Sequence, residues 1–234
     1  MDADDISESE RIEKEMKYML DNNLDIVGCR LAPFSNNELY KSGPVPQFSY
    51  ISNKLLRVTN CIGHPTWIVK KKIFEELVGY RDINSCEDYD FLLRAVLCGY
   101  KVACTNEKLL KYRINPLGIS QKLSSEQRIT SCHLKSYYRK NKVMPISVYK
   151  EWVNSEKCKK EYRQDQKYEN LKELIKKNRN CWMVISSIPR LLICRKFYDN
   201  IYNTLYFRLW MMINGWNRKH QNKINSQKKV SIDK

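Results

Sequence analysis

The side chains best equipped for chemistry lie in two acidic stretches, Asp2-Ala3-Asp4-Asp5 and Cys86-Glu87-Asp88-Tyr89-Asp90-Phe91-Leu92-Leu93-Arg94. Carboxylates clustered in a loop can hold a hard divalent cation, which prefers oxygen ligands. A carboxylate beside a like charge can instead serve as a base, because its neighbour raises its pKa toward working pH. Glu87 and Asp88 have that adjacency. Both patterns also have an ordinary reading, since acids in a first helical turn are favoured by the helix dipole at about 0.3–1 kcal/mol each. Chemistry requires the fold to set one stretch where a metal binds and the other where a proton is taken.

Several elements must position them. Phe91, Leu92, Ala95 and Val96 recur at helical spacing after the second stretch, and Gly99 is placed to end that helix. Asp90 and Arg94 stand at i and i+4, the spacing of a structural ion pair. Ser7-Glu8-Ser9-Glu10 fits a capping box, and Ile12, Met16, Met19 and Leu20 continue on one face to about Asn22. The Asp4 loop is thus expected just before a helix N-terminus, which favours anions. Leu24 to Cys29 reads as a buried strand, Arg30 to about Asn60 as a long irregular loop, and Gly63 to Val69 as a strand. A short helix follows over Lys70 to Leu77. Tyr100–Cys104 and Leu109–Arg113 read as two short strands, and Ser124 to Lys140 and Pro145 to Trp152 as helices.

The composition, 42% hydrophobic and 29% charged, suits a soluble core, but a formal charge of +16 implies an anionic partner. Nine cysteines without metal-ligand spacing point to a reducing, cytoplasmic setting. From Glu151 to Asn180 the pattern is a charged helical connector. Beyond it lie two apolar segments. Cys181 to Cys194 is broken by Pro189-Arg190 and is too short to span a bilayer. In the second, Ile201, Leu205, Leu209, Met212 and Trp216 share a broad face with Tyr202, Tyr206, Trp210 and Ile213. Such a face beside Arg195, Lys196, Arg208, Arg218 and Lys219 suits an anionic membrane surface, at the inner face of the cell membrane; the alternative is a hairpin packed on the domain. No nucleic-acid motif accompanies the basic charge, which argues against that partner.

In order along the chain, three segments resemble an inverting family 2 glycosyltransferase. Met1-Asp2-Ala3-Asp4-Asp5-Ile6-Ser7 with Glu10-Arg11-Ile12 is similar to the family's Asp-X-Asp motif and following helix. His64-Pro65-Thr66 and Phe74-Glu75-Glu76-Leu77-Val78-Gly79-Tyr80 are similar to the segment before the acceptor site. Glu87-Asp88-Tyr89-Asp90 with Gly99-Tyr100-Lys101 is similar to the acceptor-side Glu-Asp motif. The resemblance covers roughly residues 1–120 and implies an α/β fold. That fold is an incomplete GT-A-type (Rossmann-like) nucleotide-sugar transferase domain followed by a helical C-terminal extension.

The division it implies is 1–120 for the catalytic part, 121–180 for a connector, 181–216 for the aromatic helices and 217–234 for a basic tail. It implies a nucleotide-sugar donor, a glycan or lipid-linked acceptor, and Mn²⁺ or Mg²⁺. Asp4 is the metal ligand, with Asp2 toward the ribose or the metal's outer shell, Arg113 near phosphate, and Asn115 where many relatives carry a metal-binding histidine. By the same resemblance Asp88 is the base and Glu87 its neighbour, and His64 and Trp67 are expected to border the acceptor, the alternative for His64 being a satisfied loop or core histidine. In this reading Asp5 serves the loop and helix start. The family's base- and ribose-binding strands are expected before the Asp-X-Asp motif. Since the sequence opens on that motif, the resemblance implies a truncated enzyme. The alternative is a non-catalytic remnant, or half of a split enzyme completed by a separate N-terminal chain.

Overall fold

The computed structural model describes residues 3–35, 38–39, 53–114, 124–178 and, in the C-terminal part, 192, 194, 196–206, 208, 209 and 212. Asp2, Asn115, Trp216, the tail 217–234 and most of the 181–195 segment lie outside the described residues.

The chain is a mixed α/β structure built on two long neighbouring strands, β2 (Ile26–Ser35) and β5 (Val102–Arg113). They pair in parallel, from Ile26 opposite Val102 to Phe34 opposite Arg113. β1 (Ile6–Ser7) lies antiparallel on β5, while β3 (Glu38–Leu39) and β4 (Ile68–Val69) lie antiparallel on β2. The two strands expected over residues 100–113 are a single one. Ile68–Val69 does pair as a strand, but His64–Thr66 before it is a turn of 3₁₀ helix, with Pro65 setting its φ. β2 approaches that turn closely. A Cβ on Gly28 would fall 2.3 Å from Ile62 and 2.6 Å from the Thr66 hydroxyl, so only glycine fits. Thr66 Oγ1 then accepts the Cys29 N–H (3.2 Å) and donates to Gly63 O (2.7 Å), fixing the turn that carries His64.

α1 (Arg11–Asp21) departs from expectation in two ways. No capping box forms: Ser7 sits in β1, and its hydroxyl donates to Glu8 O. The strand pairing consumes the residue meant for the cap. The apolar stripe is buried only in part: Met19 of the stripe is buried beside Glu15, while Ile12, Met16 and Leu20 are exposed. Entry from β1, with Glu8 N–H donating to Leu109 O, rotates the helix away from that stripe. Asn22-Asn23 does end it, Asn23 adopting a left-handed φ of 48°.

Burial of Glu15 has a measurable consequence. Its carboxyl is 0% exposed and neither oxygen has a hydrogen-bond partner. Burial pushes it above the ordinary carboxylate range, offset in part by the Cys29 thiol and the Arg11 charge. The folded state therefore keeps a proton that the unfolded chain loses near pH 4.3. Stability from this group is full below that pH and is lost as pH rises through the folded pKa. The denaturation midpoint of the wild type should thus fall with rising pH relative to Glu15→Gln. Parallel curves for the two proteins would show that Glu15 does not couple proton binding to folding.

α4 (Glu87–Leu97) is the centre of the core. Phe91, Leu92 and Ala95 are fully buried, and the helix ends at Gly99, whose φ of +89° suits glycine. Around it pack Leu55 and Leu56 of α2 (Asn53–Leu56), α5 (Ser124–Tyr138), α6 (Ile146–Val153) and α7 (Glu156–Asn178). Between the 3₁₀ turn and α4 lies α3 (Lys71–Glu76). The expected Asp90–Arg94 pair is present (2.9 Å) and larger than expected: Arg81 also binds Asp90, and Arg94 donates to the carbonyls of Leu77 and Gly79.

The C-terminal helical segment 196–206 docks by its polar side. Asp199 accepts bonds from Lys135 and Arg139, and the Arg139 guanidinium lies over the Tyr202 ring (3.9 Å). Tyr198, Ile201, Leu205, Leu209 and Met212 are all exposed. The single broad face expected for Ile201, Leu205, Tyr202 and Tyr206 is therefore divided, the tyrosines turning toward the domain. Among the described residues no helix is long and apolar enough to cross a membrane.

Candidate active site

Two clusters contain the residues singled out above. The first is the loop before β1. The Arg113 N–H donates to Asp5 Oδ1 (3.0 Å) and Arg113 Nε to Asp4 O (3.1 Å), while the Arg113 guanidinium rests on the Phe34 ring (4.5 Å). Arg113 and the Asp4 loop are thus brought together at the C-terminal end of β5. Asp5 is buried and anchors the loop; Asp4 is exposed and its carboxylate reaches solvent. Asp5 Oδ2 is buried without a hydrogen-bond partner. An exposed carboxylate next to an orphaned carboxylate oxygen fits a hard cation that leaves most of its ligand positions to phosphate and water. Among the described residues no group of three or more His, Cys, Asp and Glu side chains gathers as an all-protein metal cage.

The second cluster surrounds the N-terminus of α4. Asp88 Oδ1 accepts the Tyr89 N–H (2.6 Å) and Asp88 Oδ2 accepts from Asn60 Nδ2 (3.1 Å). Burial raises the Asp88 carboxyl above its ordinary range; the Tyr89 N–H and His64 oppose this, and Glu87 adds to it. Desolvation, rather than the like-charged neighbour, is therefore the main cause. His64 Nε2 hydrogen-bonds the Tyr80 hydroxyl (2.8 Å), and the His64 ring meets Trp67 and Tyr80 edge-on at 5.0 and 5.5 Å. Trp67 donates its indole N–H to Ile62 O (3.3 Å). Asp88 and Glu87 both raise the Tyr80 phenol, behind burial itself, so the carboxylates and the aromatic group share one electrostatic environment. Arg11 of α1 reaches the second cluster, its Nη1 donating to Pro65 O (3.1 Å) beside His64. In the described contacts Asp4 and Asp88 belong to separate clusters.

Beside Asp88 opens a cavity of about 470 Å³, within the range of small-ligand sites. Val58, Thr59 and Asn60 form one wall, Gln127, Arg128, Ser131 and Lys135 of α5 another, and Lys196 and Asn203 of the C-terminal segment a third. Of these only Lys196 was named from the sequence, as a cation for anionic lipid; in the structure it is 13% exposed and directed toward Asp199 in the cavity wall. Tyr80 stood in a quoted motif, and Lys135 is three residues beyond the buried Cys132, a cation on a core-facing side. Nothing in the local pattern marks Asn60, and the basic pattern around Lys196 pointed to lipid rather than to this cavity.

Three curated relatives of this chain are named as glycosyltransferases. It is 33% identical over 146 residues to the O-antigen biosynthesis glycosyltransferase WbnJ of Escherichia coli, an alignment covering 61% of this chain and 57% of that protein. It is 30% identical over 162 residues to the uncharacterized glycosyltransferase MJ1057 of Methanocaldococcus jannaschii, covering 64% and 53%. With the bifunctional glycosyltransferase pgtA of Dictyostelium discoideum it shares 27% over 173 residues, covering 59% and 22%. The chain spans about half the length of the first two relatives. No protein-family model matches it.

Proposed function

We propose that the chain carries the acceptor-side machinery of a glycosyltransferase that moves a sugar from a nucleotide sugar to a glycan or lipid-linked acceptor. The observation that carries this reading is Asp88, a half-buried carboxylate with a raised pKa at the mouth of a ligand-sized cavity. The glycosyltransferase relatives support the same reaction class. The parallel β2–β5 pair followed by helices fits the GT-A-type domain implied by the sequence, with family 2 chemistry and inversion at the sugar carbon.

In this reading Asp88 takes the proton of the acceptor hydroxyl as the acceptor oxygen bonds to the anomeric carbon. The bond to the nucleoside diphosphate breaks on the opposite face, and the leaving group departs with the electron pair. A carboxylate held partly protonated-prone by burial, yet oriented by Asn60 and the Tyr89 N–H, is suited to that exchange. His64, Trp67 and Tyr80 form an aromatic edge against which a sugar ring can lie. Arg113 stands beside the Asp4 loop, where its charge can face phosphate. Asp4, with Asp2 and Asn115 by the sequence reading, would hold Mg²⁺ or Mn²⁺, which neutralises charge developing on a diphosphate.

Calorimetric titration of UDP in the presence of Mn²⁺ tests the donor side. Binding is expected in the wild type and should weaken at least about tenfold in Asp4→Ala, the loss of one charged ligand. Equal affinity in the two proteins would remove Asp4 as ligand. No binding to either would assign the donor site to a further, N-terminal half.

The outward stripe of Tyr198, Ile201, Leu205, Leu209 and Met212 supports peripheral attachment to an anionic bilayer at the cytoplasmic face. Arg208 beside the stripe, and Arg195, Arg218 and Lys219 in the sequence, complement such a surface at about 1 kcal/mol each. The protein should co-sediment with vesicles containing phosphatidylglycerol but not with pure phosphatidylcholine, and Leu205→Glu should release it. A dimer dissolved by Leu205→Glu, without vesicle binding, would make a second copy of the chain the occupant instead.

A further inference from the structure

The cavity beside Asp88 has more positive charge around it than a neutral sugar needs. Arg128 is matched by the fully buried Asp165 (2.6 Å). The other two lining cations converge on one carboxylate: Asp199 accepts from Lys135 Nζ at 2.5 Å, with Lys196 Nζ at 3.8 Å, and Arg139, which stands outside the described lining and is 22% exposed, adds a bond from Nη2 at 2.8 Å. Three cations thus share a single anion. The side chains of Lys135, Asp199 and Lys196 are only 4, 5 and 13% exposed, so water does little to screen the excess. Asp88 is the lone acidic residue among the described residues that line the cavity. Thr59 and Ser131 also line it but turn their hydroxyls to the carbonyls of Asn60 and Arg128, whereas Asn60 and Asn203 each hold one amide N–H on a carboxylate, Asp88 and Asp199, and keep a second for a ligand.

A buried surplus of cations is unfavourable unless an anion completes it. We infer that this cavity receives an anionic group, phosphate or carboxylate, carried by the acceptor, with Lys196 as its principal charge partner. The inference rests on the reading of Asp88 as the acceptor-side base. It sets the acceptor's anionic group next to the hydroxyl that Asp88 deprotonates. The chemistry has two sources, a phosphate ester such as a lipid-linked diphosphate or the carboxylate of an acidic sugar. Lys135 is the less accessible partner; it is held on Asp199 and donates also to Val58 O (3.4 Å). Among the described residues Lys196 makes only the longer approach to Asp199, so it is the cation less tightly held and the one better placed to turn toward a ligand. The surplus also holds the Asp199 carboxyl at about 2, despite its burial. Because Lys196 and Asn203 come from the C-terminal segment and Arg128, Ser131 and Lys135 from α5, acceptor selection would reside in the helices after β5.

Calorimetry of the full chain in excess EDTA, which silences any metal-dependent diphosphate site, tests this with inorganic phosphate, glucuronate and glucose. At least one anion should bind, and glucose should bind more weakly. Lys196→Gln should weaken the anion about tenfold or more, the loss of one charge-assisted hydrogen bond, while Lys196→Arg retains it. Preference for phosphate would indicate a phosphorylated acceptor, and preference for glucuronate an acidic sugar. Unchanged anion affinity in a folded Lys196→Gln protein, glucose binding as tight as either anion, or no anion binding would overturn the inference. Asp88→Asn should keep the anion bound while ending sugar transfer. Retained transfer in that variant would defeat the base assignment and leave the anion result standing.

Discussion

Asp88→Asn in a form of the protein that transfers sugar will lower turnover by about 10²–10⁴, the contribution of a positioned general base. Donor binding will be retained, because the donor-side residues Asp4 and Arg113 belong to the other cluster. The substitution preserves shape and keeps one oxygen to accept the Tyr89 N–H, while the new NH2 takes the place of the oxygen facing Asn60, whose own amide can turn to present its oxygen. Lost activity therefore reports the lost proton acceptor. The pH profile supplies an independent readout. Asp88 must be deprotonated to act, and burial raises its pKa, so kcat/KM should fall on the acid side at a pH above the usual carboxylate range. Glu87→Gln removes a neighbouring charge that raises Asp88 and should move that limb to lower pH. Unaltered turnover in Asp88→Asn, or an acid limb at the pH of an ordinary aspartate, would exclude Asp88 as the base.

The largest loss of stability is expected two residues further along the same helix. Asp90 is 2% exposed and binds both Arg81 and Arg94. Arg94 is itself 7% exposed and holds the carbonyls of Leu77 and Gly79, which close the turn after α3. Asp90→Ala leaves two guanidinium groups without their anion, and breaking a buried pair from one side costs about 3–5 kcal/mol. A chemical denaturation midpoint should fall accordingly at unchanged slope. A cost near that of an exposed ion pair, about 0–1 kcal/mol, would mean that water replaces Asp90. Neighbouring acids in one helix should thus separate by effect, Asp88→Asn in turnover of the proposed reaction and Asp90→Ala in folding.

The glycine and apolar pattern of residues 86–100 was enough to define α4, its buried face and its end, because those features repeat within one helix. The Asp90–Arg94 pair was legible for the same reason, being one turn apart. The motif order also marked Asp4, Arg113, His64 and Trp67 before any contact was known. Other features needed the tertiary structure. Ile12, Met16, Met19 and Leu20 formed a helical stripe, yet of these only Met19 is buried, beside Glu15, since periodicity identifies a face but not the direction in which entry from β1 turns it. The aromatic C-terminal segment likewise read as one broad apolar face. Asp199 divides it, because its partners Lys135 and Arg139 lie 64 and 60 residues away. The cavity beside Asp88 was invisible for the same cause. Its walls come from residues near 60, from α5 and from the C-terminal segment, and no spacing rule connects positions that only chain folding brings together.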